Sequence, residues 1–255
     1  MHGKYYLTEK IKPIVNKMGN VAFTADDVLF DWISFEIPRG TCAIKSVFAT
    51  VAGTDGAAGN DRDMDLLFAQ AVNGVAPPSL GDSNDAKNVI KTIAARPWII
   101  GFKGVDASEL EDSGDGLVSY NVLGIGRGSI DTFTPYNQII LEGEPEYGST
   151  NGYQTIWVAG IAQGAMDFGT GVDIAGNNAV DNLAIDVDGV DADDVFAIGD
   201  AVIAFDSDGS GETTIGNVTA VTDAIVTVDA AGTLIADDDE LCHLNPMVFR
   251  FGFEY

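Results

Sequence analysis

Met247, Phe249, Phe251, Phe253 and Tyr255 alternate with Val248, Arg250, Gly252 and Glu254, the period-two pattern of a strand that turns one face to a core. Upstream, residues 28–37 are apolar on both faces, Pro38-Arg39-Gly40 makes a turn, and 41–51 follow as a second strand expected beside the first. Met64, Leu66 and Phe68 alternate with Asp63 and Asp65, and 97–103 carry Trp98, Ile100 and Phe102 on one face. Further strands are predicted at 117–125, 136–141 and 153–161, with an acidic loop at 109–116. Asp85 is placed to cap one short helix through Val89, Ile90 and Ile93. An all-β chain of this size settles as a β-sandwich, and the strand count with long crossing loops favours jelly-roll connections.

The segment before the last strand has a different rhythm. Residues 183–188, 197–203, 215–221 and 224–228 are short apolar stretches with turn signals between them, followed by Leu241. That spacing predicts a small β-barrel inserted in the sandwich. Ala179-Val180 leading to Ile185, Val187 and Asp188 is echoed by Ala220-Val221 leading to Val226, Val228 and Asp229, too few copies for a repeat array. The expected division is therefore an N-terminal arm at 1–19, a jelly-roll-like β-sandwich at 20–171 plus 245–255, and an acidic barrel at 172–244.

Charge sharpens this division. The chain has 255 residues and a formal charge of −26, yet residues 128–249 contain no Lys or Arg and 22 acids. Such a surface repels duplex DNA and anionic lipid, so neither nucleic acid nor membrane is expected as a partner. No apolar run reaches the roughly 20 residues of a membrane helix, and the start Met1-His2-Gly3-Lys4 lacks a secretory hydrophobic segment. Cys42 and Cys242 are read as buried free thiols.

Basic residues gather at the start, where Lys4, Lys10 and Lys12 surround Tyr5 and Tyr6. This stretch is either a frayed terminus or an arm that docks on an acidic partner; in the second case those five residues form the docking surface.

Candidate chemistry is sparse. Asp206-Ser207-Asp208-Gly209-Ser210-Gly211 matches the opening of a calcium loop, with Asp206, Asp208 and Ser210 as candidate Ca2+ ligands. The twelfth position is Asn217 and the flanks read as strands, so a polar hairpin turn explains the same residues. Asp186, Asp188, Asp191, Asp193 and Asp194, and separately 237–240, read as solvated acidic faces. Gly124-Ile125-Gly126-Arg127-Gly128 lacks phosphate-loop spacing and reads as a turn. His2 and His243 are poorly placed for a triad, and no carboxylate pair stands out, so the protein is expected not to be an enzyme and to need no cofactor beyond that calcium candidate. Trp32, Trp98 and Trp157 read as core, with a sugar-binding platform as the alternative.

Several short patterns resemble a family of tailed-bacteriophage virion proteins. They are the strand-Pro-basic-Gly turn at 33–40, Asp63-Met64-Asp65-Leu66-Leu67-Phe68, and Pro77-Pro78 leading to Asp82, Asn84, Asp85 and Ala86. A closing pair of strands at 153–162 and Val248-Phe249-Arg250-Phe251 completes the likeness. The insert is similar to small β-barrels of phage structural proteins, with Gly199-Asp200 opening a strand and Val218-Thr219-Ala220-Val221 mid-barrel. The resemblance implies a capsid decoration protein on the virion exterior, assembled in the host bacterial cytoplasm. Its partner would be the major capsid protein, and its state a homo-oligomer such as a trimer. A tail, neck or carbohydrate-binding host-attachment component is the alternative implied.

Overall fold

The computed structural model describes residues 4–15, 23–52, 63–81, 95–105, 110–112, 117–123, 139–144, 148, 152–166, 168, 171–177, 182–189, 191–206, 211, 213–230 and 235–255. The chain is almost wholly β. Its first sheet contains β1 (Tyr5–Leu7), β3 (Cys42–Ala52), β6 (Leu110–Asp112), β7 (Leu117–Leu123) and β16 (Met247–Glu254), in the order β1-β16-β3-β7-β6. A short β8 (Ile140–Leu141) pairs with β3 as well. The second sheet is β2 (Val28–Pro38), β9 (Tyr153–Ala162), β4 (Met64–Ala69) and β5 (Ile99–Val105), in the order β2-β9-β4-β5.

These sheets face each other because each strand offers alternate aromatic or aliphatic side chains to the same interior. Phe249, Phe251 and Phe253 of β16 are fully buried, and their rings meet rings from the opposite sheet. Phe35 stacks on Phe251 at 5.3 Å, Phe68 meets Phe251 edge-on at 5.5 Å, and Phe30 lies 5.7 Å from Phe249. Tyr255 departs from the expected pattern. It ends the strand on the surface, 44% exposed, with the Lys4 ammonium 6.0 Å from its ring centroid.

Three expectations change. β2 and β3 are consecutive but lie in opposite sheets, because Phe35 and Ile37 must face Ile44 and Val47 across the core rather than beside them. The turn at 38–41 is thus a corner between layers: Gly40 takes a φ of +102°, and its carbonyl accepts from Gln154 Nε2 at 2.5 Å. Likewise β9 and β16 are not a closing pair; β16 pairs with β3 and β1 while β9 pairs with β2 and β4. Finally, the acidic loop at 109–116 contains β6, antiparallel to β7. The helix read after Asp85 and the glycine-rich turn at 124–128 lie outside the described residues. Gly160 has a packing reason: the Phe30 ring covers it where a side chain would stand.

Residues 172–243 supply a third sheet. Its strands are β10 (Val172–Asp173), β11 (Ala184–Asp186), β12 (Ala201–Phe205), β13 (Thr213–Thr222), β14 (Ile225–Val228) and β15 (Glu240–His243). Their order is β10-β15-β12-β13-β14-β11, and a bridge between Ile174 and Val187 brings the two edges together at one end. A single-turn α1 (Ala192–Val195) packs Ala192 and Val195 into the enclosed core with Ile185, Val202, Val226 and Leu241.

β12 and β15 serve two cores at once. Val202, Ala204 and Leu241 point into the module, whereas Ile203, Phe205 and Cys242 belong to the sandwich core with Phe249 and Phe251. Strand alternation makes this automatic, since neighbouring residues project to opposite faces. The inserted module and the sandwich are therefore joined by side chains as well as by chain.

Candidate docking surface

Residues 4–15 run along the whole of β16. Lys4 and Tyr255 exchange backbone hydrogen bonds at 3.2 and 3.0 Å, and Ile11 and Phe249 do so at 2.9 and 2.8 Å. Thr8 Oγ1 accepts from Phe251 N–H at 2.9 Å, and Val15 N–H donates to Leu244 O at 2.7 Å. Alternation buries Ile11, Pro13 and Val15, and Thr8 is buried as well. The arm is thus an edge strand of its own chain, a third outcome beside the frayed terminus and the arm docked on another protein. The physical reason is that the outer edge of β16 would otherwise leave a row of unpaired backbone groups beside a hydrophobic core.

The acidic neighbour of the arm includes the chain's own module. Lys12 Nζ lies 3.0 Å from Asp200 Oδ1, while Asp200 Oδ2 accepts from Ala197 N–H at 2.9 Å. Asn245 completes the junction by accepting from Ala201 N–H at 2.8 Å and donating to Pro13 O at 3.1 Å.

What remains open is the seam beside the arm. β1 and β2 are edge strands of the two sheets, and they border a cavity of about 520 Å³. Tyr6, Ile11, Phe35 and Tyr153 give it apolar walls, with Glu9, Lys10, Lys12 and Glu36 among its polar residues. The Tyr6 and Tyr153 rings are tilted against each other at 5.9 Å. Burial pushes the Tyr6 hydroxyl pKa up, and Tyr153, Glu9 and Glu36 push it the same way. On the other face of β1, Tyr5 is 73% exposed and Leu7 52%.

Of the predicted docking residues, Tyr6, Lys10 and Lys12 line the cavity, and Lys4 and Tyr5 lie beside it on the same edge. Sequence reading missed Tyr153, Glu36 and Asp200, which join these residues only through the fold. Tyr153 opening an apolar strand was the one visible signal.

The remaining candidates fall elsewhere. Asp206 is exposed at the end of β12, and its carboxyl covers the backbone of Gly211, which has a φ of +66°. β12 and β13 are consecutive in the chain and pair antiparallel. Asp208 and Ser210 lie outside the described residues. Among the described residues no three or more His, Cys, Asp or Glu converge on a point that could hold a metal. Cys42 and Cys242 are buried thiols outside any disulfide, and burial with Glu142 nearby pushes the Cys42 thiol up to about 11.

The three tryptophans share one cluster with Ala69 and Ala71. Two of their indole N–H groups are spent on backbone carbonyls, Trp32 on Pro78 and Trp98 on Val75, each at 2.9 Å. His243 is buried edge-on to Phe196 at 6.0 Å. Among the described residues no helix is long and apolar enough to cross a membrane. The chain matches no protein-family model and no curated protein, so the seam and its chemistry are what speak to function.

Proposed function

We propose that this protein is a non-enzymatic structural component of a virion, a decoration protein that binds the major capsid protein and stabilises the shell. One observation carries the reading. Two sheet edges without a further strand neighbour among the described residues, β1 and β2, meet at one seam, where Tyr6 and Tyr153 line a cavity of about 520 Å³ and Tyr5 and Leu7 of the same edge strand are exposed on its other face. Contiguous exposed aromatic and aliphatic side chains bordered by charges are the anatomy of a surface that is covered in use. The strongly acidic module keeps copies soluble before assembly and repels nucleic acid.

Purified shells sedimented with this protein test the reading. Wild type should co-sediment, and Tyr5→Asp combined with Leu7→Asp should abolish this while leaving the melting temperature within a few degrees, since both side chains are exposed. Failure of wild type to bind shells, or its absence from purified particles by mass spectrometry, removes the proposal. Binding to host cells with shell attachment lost assigns an attachment role instead.

A further inference from the structure

The chain holds two Asn-Gly and four Asp-Gly steps, where a backbone nitrogen can attack the preceding side chain because glycine carries nothing to block it. Of these, Asn73-Gly74 and Asp188-Gly189 have both residues described. All four residues are exposed, and both glycines have a positive φ with open space where a side chain would stand. What separates the two steps is where the glycine N–H points. Gly74 N–H donates to Glu144 Oε2 at 2.9 Å, in a turn closed by reciprocal Val72–Val75 backbone bonds of 3.0 and 3.1 Å. Gly189 N–H donates to the carboxyl of Asp188 itself, 2.7 Å from Oδ1.

That bond holds the attacking atom beside its target. Asp188 Cγ is one covalent bond from Oδ1, so the Gly189 nitrogen is within reach of the separation of about 3–3.5 Å that defines a near-attack conformer. Residue type alone ranks Asn73 first, since ammonia leaves a carboxamide more readily than water leaves an ionised carboxyl. The fold reverses that order. At Asn73 the nitrogen is drawn to a different carboxylate and the turn pins the peptide on both sides, whereas at Asp188 it is drawn to the reacting group.

We infer that Asp188-Gly189 is a site of spontaneous succinimide and isoaspartate formation, a covalent change built into the acidic module. The Gly189 nitrogen bonds to Asp188 Cγ and gives up its proton while the protonated carboxyl loses its hydroxyl, so one water leaves. Water then adds back at one of the two imide carbonyls. Cleavage of the ring bond to Cγ restores aspartate; cleavage of the bond to the Asp188 main-chain carbonyl leaves the chain running through the side chain, one atom longer. That atom falls between two anchored points. On one side are the Ile174–Val187 bridge and Asp188 N–H on Asp173 O at 2.8 Å; on the other is α1, whose Ala192 N–H is held by Asp223 O at 2.8 Å. The closure of the module therefore loosens with age, whatever the seam binds.

The test keeps the full chain in heavy-oxygen water at neutral pH for several weeks, beside synthetic peptides of residues 184–196 and 70–76. Chymotryptic fragments are then read by mass spectrometry with fragmentation that separates β-linked from α-linked aspartate. Heavy oxygen should enter at Asp188 at least about threefold faster in the folded chain than in the free peptide, whereas Asn73 should deamidate at least about threefold slower than in its own. Amide exchange near Ile174 and Ala192 should rise in the isomerised fraction. Asp188→Glu, at an exposed position and one methylene longer, should abolish the label because the ring is no longer five-membered. Conversion at Asp188 no faster than in the peptide overturns the inference, as does label kept in Asp188→Glu or spread equally over Asp186 and Asp191. Asn73 outpacing its peptide overturns it too, because the direction of the glycine N–H would then not govern reactivity. Unchanged amide exchange in the isomerised fraction overturns the loosening of the module.

Discussion

The sandwich and the inserted module reach stability by different routes. The sandwich core is aromatic, with Phe23, Phe30, Phe35, Phe68, Phe168, Phe249, Phe251 and Phe253 among its buried residues, and rings stack across the two sheets. The module core is Val, Ile, Ala and Leu241 around one ring, Phe196. Large rings span the roughly 10 Å between facing sheets, whereas a tightly curled sheet has room only for short side chains. The module's surface carries acids and no bases, so its folding has to offset self-repulsion with a thinner core. Attachment through Ile203, Phe205 and Cys242 is what lets it do so, because β12 and β15 are anchored in the larger core.

The sharpest way to break this contrast is Phe251→Ala, which empties a site touched by Phe35, Phe68 and Phe249. It should cost about 3–5 kcal/mol and lower the denaturant midpoint of the whole chain, with Cys42 becoming open to alkylation in the same transition. Ile185→Ala in the module should cost about 2–3 kcal/mol, and amide exchange should rise mainly between 172 and 241. Combined, these two changes should add within about 0.5 kcal/mol, whereas Phe205→Ala combined with Phe251→Ala should not, because both remove volume from one core. Additivity in the second pair would mean the junction is not shared.

Smaller effects refine the same picture. Lys12→Ala removes the ion pair that ties the arm to the module, and should cost about 1 kcal/mol, read in a denaturant titration and reduced by added salt. Smallest is Glu240, whose pKa burial pushes up from the ordinary 4.5, helped by Asp173 across the strand pair. A carboxyl with a raised folded pKa favours the folded state when protonated. Its contribution is complete below the unfolded value and is lost as pH rises through the raised one. Glu240→Gln should therefore stabilise the chain slightly at neutral pH, by less than about 1 kcal/mol, and the difference from wild type should vanish toward pH 4.

Much of this was readable from the chain. Strands β2, β3, β4, β9 and β16 follow directly from apolar alternation or continuous apolar runs, and the change of rhythm after residue 172 marked the third sheet. Pairing partners were not readable. Period two states that Phe249 and Phe251 face a core but not which strand lies beside them, and the resemblance that made 153–162 and 248–251 a closing pair joined strands that belong to opposite sheets. The arm was ambiguous for a related reason. Lys4, Tyr5, Tyr6, Lys10 and Lys12 show attraction to something apolar and acidic, and only the return of β16 to the first sheet makes that something the chain itself.

Side-chain alternation and the absence of bases from 128–249 are local or compositional, so residue order alone determined them. The seam was decided by tertiary structure. Glu9, Glu36 and Tyr153 are distant in sequence, and a cavity exists only where two sheet edges are brought side by side. Backbone hydrogen bonding satisfies each strand in turn but leaves the last edge of each sheet over, and where those edges fall depends on the global strand order rather than on any stretch of sequence.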